Sequence, residues 1–329
     1  MAAAMSDGWS RPSGVRANPS QPARNFSFPE EETKRVHDKS HRFPGNGGYY
    51  VIPRWIKTGL VRRVPLGIVP ASPLDHGRPP AANRGVPAAH FLLIDNSNSF
   101  TKFALASREA LGPVRKAETR ELDEAGLRRV LRGWRYEAVV LSSVVPEKGE
   151  LIARGLGPAP VLRVNHKVKL GVGIDYPQPG GIGADRLANA AGVAHLYGAP
   201  AVVVDFGTAL TFDIISRERN YIGGVIAPGL EAMTDYLHQR TALLPKITLR
   251  EPPGPVGKST KHAMLAGAVY GYRGLVRQIL TEIRGEIGRS KIVATGGYAE
   301  LIAVGVKEIG EIHENLTLEG LRIIGGLNH

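Results

Sequence analysis

The sequence predicts an α/β protein of two similar lobes, each with a mixed sheet flanked by helices, and a cleft between them. Two observations lead to this prediction. One pattern occurs twice, 110 positions apart, with its aspartates at Asp95 and Asp205. In each copy an apolar run is followed by the aspartate, small and hydroxyl residues, a threonine and a second apolar run. In addition, segments with strand and helix periodicity alternate from residue 91 to the end of the chain.

The elements follow in order along the chain. Apolar runs bounded by turn residues predict strands, and apolar positions at helical spacing predict helices. In the first half these are strands at 91–95, 101–106, 137–142 and 161–164, and helices at 121–133, 147–155 and 185–197. In the second half they are strands at 201–205, 210–215, 222–226, 291–295 and 309–312, and helices at 229–238, 261–286, 298–305 and 316–326.

Residues 1–88 differ from the rest of the chain in composition. They are rich in Pro, Arg, Ser, Asn and Gly and show no sustained periodicity. Such a segment buries too little apolar surface to offset the entropy lost on ordering. We therefore predict a disordered basic leader at 1–88, an N-terminal lobe at 89–200 and a C-terminal lobe at 201–329. A transit peptide and a later translation start, for example at Val86, are alternatives for the leader.

Composition excludes several classes of site and partner. The chain has no cysteine, which excludes disulfides, thiolate zinc sites and a cysteine nucleophile. No apolar run approaches the length of about 18 residues that a membrane-spanning helix needs. The formal charge is +12, but 13 of the 42 Lys and Arg residues lie in the first 90 positions, against six acidic residues. We expect a cytoplasmic protein that binds neither nucleic acid nor a membrane.

The repeated pattern places chemical groups at the end of a strand. A buried strand, a tight polar turn and a returning strand bring a carboxylate, hydroxyls and backbone N–H groups to one point. Hard oxygen ligands suit a magnesium ion, and the donors suit phosphate. An ordinary hairpin turn explains one such copy as well, but it explains two aligned copies less well. The duplication therefore favours a nucleotide between the two halves.

A glycine-rich loop runs into the helix predicted at 185–197 and places Asp185 and Arg186 in its first turn. A helix cap alone explains Asp185, but it does not explain the adjacent arginine or the small residues before it. Arg186 is suited to bind a carboxylate or a phosphate, and Asp185 is suited to accept the proton of a hydroxyl group. At the start of a helix we expect Asp185 to have a low pKa.

Other glycine loops have two explanations. Those at 223–229 and 295–297 would line a cleft or admit a flat ring such as adenine, but plain turns explain them equally well. Residues 253–260 end like a P-loop, yet position 252 is Pro252 and no strand precedes it. No GxGxxG motif opens a strand–helix unit, so a Rossmann dinucleotide site is not expected.

Taken together and in order, these motifs resemble those of the type III pantothenate kinase family, within the superfamily of actin, heat-shock proteins and sugar kinases. The family's Asp-x-Gly-Asn-Thr-x-x-Lys corresponds to residues 95–102, and its Gly-Ala-Asp-Arg to 183–186. Its Asp-x-Gly-Thr-Ala-x-Thr-x-Asp corresponds to 205–213, and its Gly-Gly-x-Ile-Ala-Pro-Gly to 223–229. The segment 240–245 and the Thr-Gly-Gly at 295–297 match as well. The resemblance covers residues 91–327.

The resemblance implies duplicated actin-like, ribonuclease H-like lobes and a homodimer. It implies transfer of the ATP γ-phosphate to pantothenate, the first step of coenzyme A synthesis, with Mg²⁺ and a monovalent cation, K⁺ or NH4⁺. By position, Asp185 accepts the hydroxyl proton, Asp205 holds the monovalent cation and Asp95 lies near Mg²⁺. The nucleotide-binding residues implied are Asp95, Asn96, Ser97, Asn98, Ser99, Phe100, Thr101, Lys102 and Thr208. The pantothenate-binding residues implied are Tyr176, Gly183, Ala184, Asp185, Arg186 and Thr260.

One departure concerns the first hairpin, which has Ser97 where the family has Gly and Ser99 where it has Thr. If position 97 requires a positive φ, a serine there is strained by about 1–2 kcal/mol. Two other functions therefore stay open: a non-catalytic regulator that retains the kinase fold, and another small-molecule kinase of the superfamily. ADP release with a panel of hydroxyl substrates distinguishes them.

Overall fold

The computed structural model describes residues 89–329. The predicted leader, residues 1–88, lies outside the described residues. Among the residues described, we find no helix with the length and hydrophobicity that crossing a membrane requires.

The first sheet is built from the first half of the described chain. Its strands are β1 (Ala89–Asn96), β2 (Phe100–Ala106), β3 (Leu111–Glu118), β4 (Tyr136–Ser143) and β5 (Val161–Arg163), and their order is β3-β2-β1-β4-β5. The central strand β1 pairs antiparallel with β2 and parallel with β4. Its residues Leu92, Leu93 and Ile94 are fully buried, because a central strand covered on both faces is apolar throughout.

The second sheet repeats the arrangement of the first. Its strands are β6 (Gly173–Ile174), β7 (Ala201–Phe206), β8 (Ala209–Ile215), β9 (Asn220–Pro228), β10 (Lys291–Thr295) and β11 (Glu311–Ile312), and their order is β11-β10-β7-β8-β9-β6. Apart from β6, the strands correspond one to one: β7 pairs antiparallel with β8 and parallel with β10, as β1 does with β2 and β4. The duplicated α/β fold with mixed sheets is therefore confirmed.

Helices flank both sheets. They are α1 (Glu124–Leu131), α2 (Pro146–Gly155), α3 (Ala184–Leu196), α4 (Leu230–Arg240), α5 (Thr260–Ile287), α6 (Ala299–Ala303) and α7 (Leu316–Asn328). Every predicted helix is present. Two strands were not predicted, β3 and β6. Strand β3 is an exposed edge strand that contains Pro113 and several polar residues, so it lacks the apolar alternation that marks a half-buried strand.

One apolar core joins the two sheets through α3 and α7. It contains Leu93 of the first sheet, Val203 of the second and Leu187 of α3. The two helices approach closely because both carry glycine at the contact, and a Cβ on Gly320 would lie 1.9 Å from the carbonyl oxygen of Ala188. Helix α7 also packs on β1 and β4. The lobe boundary at residue 200 stays a prediction.

Candidate active site

The two copies of the repeated pattern meet at their turns. Asp95 lies at the end of β1 opposite Lys102 of β2, and Asp205 lies near the end of β7 opposite Thr211 of β8. The hydroxyl oxygens of Ser99 and Thr208, one from each turn, are 2.7 Å apart. The carboxylate-tipped hairpins therefore lie in direct contact.

A buried polar network supports the first hairpin. The Asn96 amide donates to the Thr101 hydroxyl at 2.9 Å, and that hydroxyl lies 2.9 Å from the hydroxyl of Thr119. The Ser143 hydroxyl donates to the Asn96 side-chain oxygen at 2.7 Å. Asn96 and Thr101 are fully buried. Their side chains support the shape of the turn, and the assignment of both residues to the nucleotide stays a prediction.

Ser97 does not adopt the positive φ on which the possible strain at this position depended. Among the residues described, the one non-glycine residue with a positive φ is Arg219. The equivalent Gly207 of the second hairpin also has no positive φ, and a Cβ there would make only ordinary contacts at 3.5 Å. The Ser97 hydroxyl donates to a carboxylate oxygen of Asp95 at 3.0 Å. This turn therefore accepts a serine without backbone cost.

Replacing Ser97 with Gly tests this interpretation. We expect Ser97→Gly to lower the free energy of unfolding by about 0.5–1 kcal/mol, because glycine loses more backbone entropy on folding. Urea unfolding monitored by circular dichroism gives the value. Ser107→Gly is the comparison, because Ser107 is a half-buried serine whose hydroxyl also bonds within a turn. An increase in stability specific to position 97 would show that the serine is strained.

The carboxylates of the site share a poorly solvated environment. Burial raises the pKa of Asp95 to about 7; Lys102 lowers this pKa, whereas the negative charges of Asp185 and Asp205 raise it further. Burial also raises the pKa of Asp205, against a hydrogen bond from Asn189. A site with clustered, desolvated carboxylates is typical of one that receives cations or protons.

Asp185 differs from the expectation of a low pKa at a helix start. Its carboxylate accepts the backbone N–H of Arg186 at 2.8 Å, as a residue in the first turn can. Burial nevertheless raises its pKa, and this effect exceeds those of the hydrogen bond and of the Arg186 charge. Gly183 leaves space for the carboxylate, since a Cβ there would lie 2.5 Å from Oδ1 of Asp185.

Asp205 is held by Asn189 and Thr317, which the sequence interpretation missed, and by Gly296 of the loop at 295–297. Asn189 of α3 donates to its Oδ2 at 3.2 Å, and Thr317 of α7 donates to the Asn189 oxygen at 2.8 Å. Gly296, with φ of 92°, packs against the same carboxylate, and a Cβ there would lie 2.5 Å from Oδ1. The spacing of four residues between Asp185 and Asn189 places both on one face of a helix, which is the signal that could have identified Asn189.

Arg186 anchors a second group of residues beside the hairpins. Its Nε lies 2.6 Å from Oδ1 of Asp213, and its Nη2 donates to the Phe212 carbonyl at 3.3 Å. Its guanidinium carbon lies 5.7 Å from the centre of the Tyr221 ring, which Tyr176 contacts edge-on at 6.1 Å. Tyr176 is 39% exposed, so this group has one open end.

The remaining candidate residues are less closely connected. Asn98 is exposed in the first turn, and Phe100 stacks under Lys116, whose Nζ is 3.5 Å from the ring centre. Ala184 is buried at the start of α3. Thr260 begins α5 and is exposed, and no hydrogen bond of the described residues joins it to the other candidates. Within residues 89–329, no group of three or more acidic or histidine side chains has the arrangement of a metal site.

Comparison with known proteins gives a consistent result. A family model described as type III pantothenate kinase matches residues 91–282. A protein of Akkermansia muciniphila named type III pantothenate kinase is 55% identical over 240 residues, which cover 72% of this chain and 99% of that protein. One of Methylacidiphilum infernorum with the same name is 42% identical, covering 71% and 87%. Among solved structures, an inorganic polyphosphate/ATP-glucomannokinase of an Arthrobacter strain gives a TM-score of 0.40 at 14% identity, covering 73% and 100%.

Proposed function

Because the chain belongs to the type III pantothenate kinase family, we propose that it transfers the γ-phosphate of ATP to pantothenate, giving 4′-phosphopantothenate. This is the first step of coenzyme A biosynthesis. The observation that carries the proposal is the contact between Ser99 and Thr208, which brings two carboxylate-tipped turns together. Phosphoryl transfer depends on positioning and charge neutralisation more than on covalent chemistry, and this arrangement offers both.

We assign the nucleotide to the two hairpins. A kinase of this family uses ATP and Mg²⁺, and Mg²⁺ bound to the phosphates would neutralise the charge that develops on them. Carboxylate and hydroxyl oxygens are the ligands that such hard cations prefer, so the residues fit. Asp95 would hold Mg²⁺ through the phosphates, Asp205 a monovalent cation, K⁺ or NH4⁺, and Lys102 and Thr208 would contact the phosphates.

We assign the acceptor to the start of α3 and its neighbours. Asp185 would accept the proton of the pantothenate hydroxyl, and its raised pKa makes it a stronger base than an exposed aspartate. The residues assigned to pantothenate binding are Tyr176, Gly183, Ala184, Asp185, Arg186 and Thr260. The exposure of Tyr176 at the edge of the Arg186 group supports entry of the acceptor at this point.

Release of ADP tests the proposed reaction. Purified protein is incubated with ATP, Mg²⁺ and KCl and with a panel of hydroxyl acceptors, including pantothenate and several sugars. We expect release that depends on pantothenate, with 4′-phosphopantothenate identified by mass spectrometry. Release with another acceptor would instead indicate a different kinase of the superfamily, and no release with any acceptor would favour a regulator that retains the fold.

We also propose that the protein acts as a homodimer. Around α4, apolar side chains are unusually exposed, with Ile226 at 65%, Tyr236 at 61% and Leu243 at 89%. An apolar patch of this kind on a soluble domain commonly marks a protein contact. A cytoplasmic location without a nucleic-acid or membrane partner completes the proposal. It is supported by the lack of cysteine and by the concentration of basic charge in the first 90 residues.

A charge placed in the exposed patch should weaken the dimer. We expect Leu243→Glu to raise the dimer dissociation constant at least about tenfold, because burying an unpaired carboxylate in an interface is unfavourable. Sedimentation velocity over a range of protein concentrations measures the change. Val304→Glu is the comparison, since Val304 is 77% exposed and lies at the end of α6 rather than beside α4 in the chain. Equal effects of the two substitutions, or a monomeric parent protein, would contradict the proposal.

A further inference from the structure

Arg186 is fixed at three points by residues that have no assigned role. Its Nε and Nη2 bond to Asp213 and to the Phe212 carbonyl, and its guanidinium lies over the Tyr221 ring. The side chain of Arg186 is 15% exposed, and that of Asp213 is fully buried. Asp213 is therefore closed off from any substrate and can act only through the arginine and through Tyr221, whose hydroxyl donates to it at 3.4 Å.

Strand β9 is shaped to admit the guanidinium. Gly224 lies opposite Asp213 in the β8–β9 register. A Cβ at Gly224 would lie 2.4 Å from Nη2 of Arg186 and 1.9 Å from the Phe212 carbonyl oxygen. Glycine at this position lets the arginine lie flat along the strand. Residues 223–228, interpreted from sequence as a cleft-lining loop or a plain turn, instead belong to strand β9, and Gly224 has a specific packing function there.

The contacts leave one edge of the guanidinium available. A guanidinium has five N–H donors, and the two bonds described occupy one on Nε and one on Nη2. Within the described residues, Nη1 makes no hydrogen bond. Arg186 adjoins Asp185 in the chain, and the Tyr221 ring beneath it contacts the exposed Tyr176. The available donors therefore belong to the part of the molecule that we assign to the acceptor.

We propose that Asp213 is a positioning residue that holds Arg186 for pantothenate binding; this rests on the proposed function. A buried ion pair is seldom a source of net stability, because desolvation offsets most of the attraction. Its value here is geometric: an arginine tied at Nε, Nη2 and the ring face cannot rotate away from the acceptor. A preoriented donor binds its ligand without a further loss of side-chain entropy.

Asp213→Asn provides the test, because it keeps the shape of the side chain and removes its charge. Calorimetry measures the affinities for pantothenate and for a non-hydrolysable ATP analogue separately. We expect the pantothenate affinity to fall about tenfold to a hundredfold, the range for losing a hydrogen bond to a charged group, while the ATP-analogue affinity changes less than about threefold. In steady-state assays the KM for pantothenate should rise more than kcat falls.

Controls separate positioning from a merely structural role. Glu121→Gln makes the same acid-to-amide change at an exposed residue before α1 and should leave pantothenate affinity near that of the parent, and Asp213→Glu should restore part of the loss. Adding Asp213→Asn to Arg186→Ala should cost no further affinity, because both substitutions remove one interaction. Equal losses for pantothenate and the ATP analogue, or additive losses in the double variant, would overturn the proposal.

Two further outcomes remain decisive. If Asp213→Asn does not fold, Asp213→Glu keeps the charge but moves it by one methylene, and it should show a smaller loss that is still selective for pantothenate; a nonselective loss overturns the proposal. A parent protein that binds pantothenate but does not phosphorylate it would refute the proposed function, whereas the binding measurements would still decide the role of Asp213. A parent that does not bind pantothenate overturns both.

Discussion

Replacing Asp185 with Asn should lower kcat by about 10²–10⁴-fold, the usual contribution of a positioned general base. The amide has nearly the same shape, and its oxygen can still accept the backbone N–H that the Asp185 carboxylate accepts now. We therefore expect the variant to fold normally. Because Asp185 is partly buried and its pKa is raised, removing its charge should not reduce the free energy of unfolding.

The pH profile gives an independent readout for Asp185. Burial disfavours the charged form, so the carboxylate ionises at a higher pH than an exposed aspartate. A base must be ionised to accept a proton, and kcat/KM should therefore rise with pH as this group loses its proton. Asp185→Asn should lack that rise. Asp95 titrates in the same site, so Asp95→Asn must be profiled beside it to assign the rise.

The assay for Asp185 needs a control for substitution of an acid by its amide. Glu121→Gln is this control, because Glu121 is exposed and lies before α1, in the half of the chain that forms the first sheet. It should retain the full kcat. A kcat for Asp185→Asn above a tenth of the parent value, with Glu121→Gln unchanged, would remove Asp185 from the role of base.

Sequence reasoning was effective where a local pattern carries the structure. The apolar runs before Asp95 and Asp205 predicted β1 and β7, and the repeat predicted that their turns have equivalent places in two sheets. It failed for β3, because an exposed edge strand needs no apolar alternation. The fold class followed from the order of elements, which depends on many residues and tolerates such local errors.

The site was predicted less completely, because its properties depend on residues distant in the chain. The low pKa expected for Asp185 considered only its own helix, whereas burial by the surrounding structure determines the result. The strain expected at Ser97 assumed a backbone conformation that the turn does not adopt. The contact of Thr317 with Asn189 spans 128 positions, and nothing in a local pattern reveals it.

Asp213 illustrates the same limit. The sequence motif that begins at Asp205 includes Asp213 as its last residue, and strand alternation places both on the same face of a β-hairpin. Which side chain it binds could not be read from the spacing, since Arg186 lies 27 residues earlier. The motif includes Asp213 but assigned it no role, and the role proposed for it rests on the three-dimensional contact with Arg186.

Replacing Asp205 with Asn should lower kcat/KM for ATP by about a hundredfold and abolish activation by K⁺. The carboxylate lies where the two hairpins meet, and its negative charge is only partly compensated by the Asn189 amide. A bound cation would supply the missing compensation, and a neutral amide would attract it far less. Each tenfold loss corresponds to about 1.4 kcal/mol, so the expected effect is within the range of one desolvated charge interaction.

Titration with KCl at constant ionic strength measures the effect, with choline chloride as the balancing salt. Asp235→Asn is the control, since Asp235 lies on α4 and its one ion pair, to Lys246, is 4.0 Å long and exposed. It should keep the K⁺ response of the parent. Asn189→Ala should give an intermediate result, because it leaves the Asp205 charge in place but removes the amide that orients it. Full K⁺ activation in Asp205→Asn would place the monovalent cation elsewhere. Unchanged turnover in both Asp185→Asn and Asp205→Asn would show that this pair of hairpins is not the catalytic site.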